Sequence, residues 1–173
     1  HGATNFRGEK FKTGIGLRNS LAKSCGIDAK EYSLSAVADF YTESSGHSEN
    51  DLISFLIDEF TLGEIAPAHE IIMSIKWKRI YTTNYDLVIE EGAKLNKNPL
   101  FSVTLEDHLE TYPKEQVCVH INGSIHNLTV DSLKNSFRLT DRSYDSETLV
   151  GKPWFDFMGR DFDAAKAIIV VGF

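Results

Sequence analysis

The stretch RIYTTNYD, residues 79–86, decides the fold, because an apolar run passes directly into a cluster of polar residues. The segment Arg79–Thr82 is rich in β-branched and aromatic side chains, which is typical of a buried strand. The polar residues Thr83–Asp86 follow it, and the segment Tyr85–Leu95 has the apolar spacing of a helix. The stretch therefore predicts a strand that leads through a polar turn into a helix.

Further apolar segments recur along the chain, separated by segments of helical pattern. We predict strands at 117–121 and 167–171, and a shorter one at 137–139. These segments lack the alternation of a half-exposed strand, which is typical of a parallel sheet covered on both faces. The sequence therefore predicts an α/β, Rossmann-like fold in which strand 79–82 lies beside the others in a mostly parallel sheet with helices on both faces.

A helical layer or insertion is predicted for residues 14–75. Leucines at four-residue steps indicate a first helix from Gly14 to Cys25, and a similar pattern recurs at 31–43. Ser48 is a plausible N-cap for a third helix, and Pro67 lies near the start of a fourth. We interpret this layer as part of one domain that covers residues 1–173.

The bulk composition excludes several classes of function. A formal net charge of -7 argues against a surface that binds duplex nucleic acid, which needs clustered Lys and Arg. No apolar run approaches the roughly 20 residues that a bilayer-spanning helix needs, so we expect a cytoplasmic protein that does not contact membranes. The two cysteines, Cys25 and Cys118, lie too far apart in sequence for a four-ligand zinc site, and we expect no metal.

The polar cluster after the first predicted strand is a candidate ligand site, because open α/β sheets bind ligands beyond the carboxyl ends of their strands. Asn84 or Asp86 could instead accept hydrogen bonds from the free N–H groups in the first turn of the helix. Spacing alone favours this capping role. The two interpretations are compatible, since one residue can cap while its neighbour binds.

A second candidate lies in VCVHINGSIH, residues 117–126. If the strand runs to residue 121, the two-residue period places His120 and Asn122 on the same face. A histidine at the end of an apolar strand is more often a buried core residue than a catalyst. Gly123 permits a tight turn or the close approach of a ligand.

The opening loop HGATNFRG, residues 1–8, is a third candidate. Small residues ahead of a helix can cradle phosphates with their backbone N–H groups. Gly2, Ala3 and Thr4 are the residues that would do so here.

Taken in order, these segments resemble the sirtuin-like superfamily. TTNYD, VHINGSI, FRLTDRSY and AIIVVGF are similar to its successive motifs, and GATNFRG resembles its phosphate loop. The resemblance is nearest to the NAD-hydrolysing sirtuin-like domains of bacterial antiphage defence proteins. Those domains lack the zinc ribbon of protein deacylases, as this chain does.

The resemblance implies that NAD is the substrate and is cleaved to ADP-ribose and nicotinamide. Asn84 would position the ribose and the attacking water, His120 would act as general base, and Asp86 would engage the carboxamide or the ribose. The resemblance assigns the remaining NAD contacts to Gly2, Ala3, Thr4, Thr83, Asn122 and Gly123.

The chain departs from the family pattern in one place. The family has His directly before Gly, whereas Asn122 precedes Gly123 here. Either His120 takes the role of the base, or Asn122 occupies the catalytic position and the base is lost; we favour His120. The second possibility leaves a non-catalytic sensor of NAD or ADP-ribose, or an assembly domain, as the alternative function.

The resemblance also implies regulation, because unrestrained NAD hydrolysis would kill the host cell. We expect either a homo-oligomer or contacts with other domains of the same protein, and a phage-derived activator. The chain begins at His1 without a preceding strand and ends at Phe173 directly after an apolar run, so we expect it to be part of a longer multidomain protein.

Overall fold

The structure, a computed structural model, describes residues 2–112, 116–139, 149 and 151–171. Its strands, in chain order, are β1 (Thr4–Asn5), β2 (Leu62–Glu64), β3 (Ile80–Thr82), β4 (Phe101–Thr104) and β5 (Val117–His120). Its helices are α1 (Gly14–Ser24), α2 (Leu34–Glu43), α3 (Glu49–Phe60), α4 (Pro67–Met73), α5 (Val88–Leu95), α6 (Val130–Asn135) and α7 (Pro153–Ala164), with a 3-10 turn at Ile125–Asn127.

The main sheet has three parallel strands in the order β3-β5-β4. The strands predicted at 79–82 and 117–121 are confirmed as β3 and β5, and they are neighbours. The sequence analysis missed β4. In the register of the sheet, Thr82 and Thr104 lie on either side of His120, so all three strands end at the same edge. This carboxyl edge is where a ligand is expected.

Helices cover both faces of the main sheet. On one face, Val103, Val117 and Val119 pack with Trp154 of α7, which is fully buried. On the other face, His120 contacts Glu90 of α5. The α/β, Rossmann-like fold with a parallel sheet between helices is therefore confirmed.

The helical layer predicted for residues 14–75 is also confirmed, as α1 to α4. The first three of these helices begin where a Ser or Thr side chain accepts from a free N–H group of the first turn. Ser48 accepts from the backbone N–H of Asp51 while the Asp51 side chain accepts from Ser48, which is a capping box. Pro67 is the first residue of α4, where its missing N–H leaves no hydrogen bond unmade.

The predicted strand at 167–171 is wrong. These residues form no ladder with the described part of the chain, and Ile168–Val171 are 53% to 66% exposed. Apolar, β-branched composition favours a strand, but a strand forms only where another strand offers a free row of backbone groups. The end of the segment that resembles the family, residues 172–173, lies outside the described residues.

The predicted strand at 137–139 is wrong as well. Phe137 and Leu139 are buried in a turn after α6, and the Phe137 ring stacks on Tyr85 with centroids 4.4 Å apart. Their apolar character reflects packing into the hydrophobic core of the helical layer rather than strand pairing. The rest of the FRLTDRSY segment, residues 140–144, lies outside the described residues.

No helix in the described ranges has both the length and the apolar character needed to cross a membrane.

Candidate functional site

The loop after β3 is fixed by its own polar side chains. The hydroxyl of Thr82 accepts from the backbone N–H of Asn84 at 3.1 Å, and the carboxylate of Asp86 accepts from the N–H of Val88 at 3.1 Å. Val88 begins α5, so the capping interpretation is confirmed for Asp86. Burial raises the pKa of Asp86, although the hydrogen bond from Val88 opposes the shift.

His120 ends β5 and is completely buried, with both ring nitrogens engaged. Its Nδ1 lies 2.8 Å from the backbone carbonyl oxygen of Asn84, and its Nε2 lies 2.7 Å from the Oε1 of Glu90. The structure thus brings Asn84 and His120 together, as the common edge of two parallel strands leads one to expect. Asn84 itself is half-buried at this edge.

The two partners of His120 determine its protonation. A carbonyl oxygen and an ionised carboxylate oxygen both accept hydrogen bonds, so a ring that bonds to both donates from both nitrogens. Burial lowers the pKa of His120, but the hydrogen bond and the charge of Glu90 outweigh it, and the pKa is raised above the ordinary histidine value. An imidazolium has no free lone pair, so a His120 ring that donates from both nitrogens has no site on which to accept a proton.

Asn122 lies in the turn beyond β5, because the strand ends at His120 and the two-residue alternation does not continue. Asn122 is half-buried, and its side-chain amide donates to the backbone carbonyl of Thr83 at 3.2 Å. Thr83 is exposed. The structure therefore places Asn122, Thr83 and Asn84 together at the carboxyl edge, with His120 beneath them.

Gly123 has a positive φ of 91°, a conformation that side chains disfavour. A Cβ added there would lie 2.8 Å from the Cδ2 atom of Phe137. The close approach that this glycine permits is therefore to Phe137 of the same chain, and Gly123 is buried beneath it.

The opening residues lie beside the small antiparallel sheet of β1 and β2. Thr4 pairs with Glu64, Ala3 is fully buried, and a Cβ added at Gly2 would lie 2.7 Å from the Cβ of Ala66. The helix that follows begins only at Gly14. The structure thus packs Gly2 and Ala3 against protein and separates them from the first turn of α1.

A cavity of about 680 Å³ lies between β2 and α5. The candidate residues at the carboxyl edge are not among its lining. Leu87 in its wall directly follows Asp86, and the backbone N–H of Ile125 donates to the carbonyl of Tyr85, the residue after Asn84. The lining consists of Ile57, Thr61, Leu62, Gly63, Glu64, Ile65, Leu87, Glu91, Leu95, Ile125 and His126. Its size suits a small-molecule ligand.

Among the described residues, one cluster has the chemistry to hold a metal ion. Ligand atoms of Glu90, Cys118 and His120 lie within 4.8 Å of one another. The carboxylate and the imidazole are already 2.7 Å apart, whereas N and O ligands around tetrahedral zinc lie roughly 3.3 Å apart. A metal ion would have to break this hydrogen bond, so we interpret the cluster as a hydrogen-bonded pair beside a buried thiol.

Glu90 is the member of this site that the sequence analysis missed. It lies in the first turn of α5, four residues after Asp86, and it is buried. A carboxylate on the apolar face of a short helix is the signal that could have identified it, because such a group is rarely buried without a partner.

Comparisons with known proteins agree with this architecture. The SIR2-like domain family matches residues 78–173, which include β3, β5 and both loops at the carboxyl edge. The NAD(+) hydrolase ThsA of Enterococcus faecium is 31% identical over 157 residues, an alignment that covers 84% of this chain and 33% of the relative. The chain therefore spans about a third of the length of that relative.

Proposed function

This chain belongs to the SIR2-like family, and on that basis we propose that it hydrolyses NAD+ to ADP-ribose and nicotinamide. The similarity to an NAD(+) hydrolase over most of the chain supports this proposal. The structural observation that carries it is the grouping of Asn84, Thr83 and Asn122 at the carboxyl edge of β3 and β5.

Cleavage of the bond between nicotinamide and ribose passes through a transition state with positive charge on the ribose. The site must orient the sugar and place a water molecule, which are tasks for fixed hydrogen-bonding groups. We assign the orientation of the ribose and of the water to Asn84. Thr83 and Asn122 would contact the same part of the ligand from the neighbouring loops.

His120 as general base would require its Nε2 to leave Glu90 and the ring to lose a proton. The His120 ring is buried and both of its nitrogens are hydrogen-bonded, which instead favours a supporting role for His120 beneath Asn84. Asp86, buried and bonded to Val88, would likewise shape the loop, and contact with the carboxamide or the ribose would require it to turn outward. Gly2, Ala3 and Thr4 would need to present backbone N–H groups to the diphosphate from beside β2.

Two observations also favour a second candidate function. Both ring nitrogens of His120 are already hydrogen-bonded, and Asn122 precedes Gly123 where the family has histidine. Without a free base at the edge, the chain would bind NAD or ADP-ribose and not cleave it. Such a module would sense the nucleotide for the other parts of a larger protein.

The two functions are separated by incubating the full chain with NAD+ and measuring released nicotinamide, together with calorimetric titration with ADP-ribose. Release that disappears in Asn84→Ala and persists in Asn50→Ala, an exposed residue of α3, supports hydrolysis. Binding without release supports the sensor. Neither binding nor release refutes both functions and favours an assembly domain.

We further propose that the protein acts in the bacterial cytoplasm as a toxic effector of antiphage defence, controlled by assembly and by a phage-derived activator. The exposed apolar segment Ile168–Val171 supports the assembly part, because contiguous exposed apolar side chains mark surfaces that other protein covers. The solution mass of the full chain, compared with that of a variant with Ile169→Ser and Val171→Ser, tests for a second copy at this segment. Equal masses would argue against a homo-oligomer built there.

A further inference from the structure

We propose that Glu90 is a positioning residue, which holds the His120 ring so that its Nδ1–H fixes the backbone of Asn84 at the ligand edge of the sheet. This inference rests on the proposed function of Asn84. It concerns a residue that touches no ligand and acts through another side chain.

The contacts form an unbroken chain from α5 to the loop. The carboxylate of Glu90 accepts from Nε2 of His120 at 2.7 Å, and Nδ1 of His120 donates to the carbonyl of Asn84 at 2.8 Å. The His120 side chain is 0% exposed, so water does not compete for either nitrogen. His120 of β5 therefore holds the loop that carries Asn84 in place through these two hydrogen bonds.

Pairing with Glu90 also lowers the free-energy cost of burying a charged His120 ring. An imidazolium next to a carboxylate has no net charge, whereas an isolated buried cation would lose its proton. Removal of the carboxylate would leave the ring without the partner that orients it. The identity of residue 90 therefore affects the position of Asn84, although the two side chains need not meet.

Titration of the pair has a measurable consequence. After the loss of one proton the ring keeps a single N–H, and the charged carboxylate, as the stronger acceptor, retains it at Nε2. The bare Nδ1 then faces the carbonyl oxygen of Asn84, and two acceptors at that distance repel. The loop should therefore shift when His120 deprotonates.

Among the residues that the structure describes, the titratable groups around the ring include Asp86 and Cys118 besides Glu90. Asp86 acts on His120 from the start of α5 and, like Glu90, favours its charged form. Cys118, on the same strand, has a thiol pKa raised well above its ordinary value by burial and by Glu90, so it stays neutral. The flanking residues in the sheet are Thr82 and Thr104, which carry no titratable group.

The decisive variant is Glu90→Gln, because a glutamine amide can donate a hydrogen bond to a bare Nε2. A neutral His120 would then keep its proton on Nδ1 and its bond to Asn84. The shift of the Asn84 loop at alkaline pH should therefore be absent in this variant. The matched control is Glu70→Gln, the same substitution at an exposed position on α4.

The first measurement is made on the ligand-free full chain by NMR, with ¹H–¹⁵N spectra of the His120 ring and of the Tyr85 amide. We expect both ring nitrogens to carry protons at pH 7, and the Tyr85 amide, which shares its peptide bond with the Asn84 carbonyl, to shift as His120 titrates. Glu90→Gln should show no such shift. The proposal would be overturned if the Tyr85 amide resonance did not move as His120 titrates, or if it moved identically in Glu90→Gln.

The second measurement is the pH profile of nicotinamide release. We expect turnover of the wild type and of Glu70→Gln to fall by roughly tenfold or more at alkaline pH, with KM little changed, because an orienting group is misplaced. In Glu90→Gln, the rate of nicotinamide release should stay nearly constant as the pH rises. A pH profile in this variant that matches the wild type counts against the inference. If no NAD+ is cleaved at all, the proposed function fails, while the NMR titration still decides the role of Glu90.

Discussion

The side-chain amide of Asn122 donates to the backbone carbonyl of Thr83 over 3.2 Å, and so links the turn after β5 to the loop after β3. One step lower, His120 bonds to the carbonyl of Asn84. The carbonyls of two successive residues, Thr83 and Asn84, therefore join this loop to the turn after β5 and to the last residue of β5, respectively. The upper tie is half-exposed at the carboxyl edge, whereas the lower one is enclosed.

Replacement of Asn84 tests whether the edge is a reaction site. We expect Asn84→Ala to lower nicotinamide release by roughly 100-fold or more, because the ribose and the water lose their orienting group. The free energy of unfolding should change by less than about 1 kcal/mol, since Asn84 is joined to His120 through its backbone. Activity assays and urea denaturation measure the two effects, with Asn50→Ala as control. Unchanged turnover would remove Asn84 from the mechanism.

His120→Ala should differ from Asn122→Ala in stability. Removal of the buried ring leaves the carboxylate of Glu90 without its partner, which we expect to lower the free energy of unfolding by about 3 kcal/mol. Asn122→Ala breaks one half-exposed hydrogen bond and should cost about 1 kcal/mol or less. Urea denaturation measures both changes, with the exposed His108→Ala as control. Equal, small losses would show that His120 is not enclosed as described.

Gly123→Ala should destabilise the protein by about 2 kcal/mol or more. The positive φ strains any side chain, and the new Cβ would collide with the Phe137 ring. Gly159→Ala is a matched control, because Gly159 is an exposed position in α7 with open space around its Cβ, and there alanine should stabilise by up to about 1 kcal/mol. Thermal denaturation compares the two, and a Gly123→Ala variant as stable as the wild type would contradict the close approach of Phe137.

The ion pair between Arg79 and Asp161 predicts sensitivity to acid. Hydrogen bonds from Arg79 and Tyr81 hold the pKa of Asp161 below its ordinary value, and burial only partly opposes them. The stabilisation is therefore complete above the unfolded-state pKa of about 3.9, and it is lost as the pH falls through the folded-state pKa.

Asp161→Asn should remove this part of the acid dependence and lower the free energy of unfolding at pH 7 by about 3 kcal/mol, because the Arg79 side chain is only 3% exposed and keeps its charge. Urea denaturation at pH 7 and near pH 3 checks this result. Asp163→Asn, an exposed residue of the same helix, is the control. If both variants behave alike, the pair does not fasten α7 to the sheet.

The sequence by itself determined the class of fold and most of its elements. The apolar runs that became β3 and β5 could be identified because a strand buried on both faces has few polar side chains. The helices from Gly14 to Met73 could be predicted because periodicity and capping residues such as Ser48 and Pro67 act within a few residues of chain. The sequence also placed Asn84 and His120 at the ends of neighbouring strands.

Only the tertiary structure decided what those two residues can do. A histidine at a strand end has the same local pattern whether it faces a ligand or a carboxylate, and here α5 brings Glu90 over it from thirty positions away. Likewise, Gly123 faces Phe137, and Ile168–Val171 pair with no strand in the part of the chain that the structure describes, despite their strand-like composition. Burial and pairing depend on which other element covers a residue, and that information is not contained in the few neighbouring residues from which a local pattern is judged.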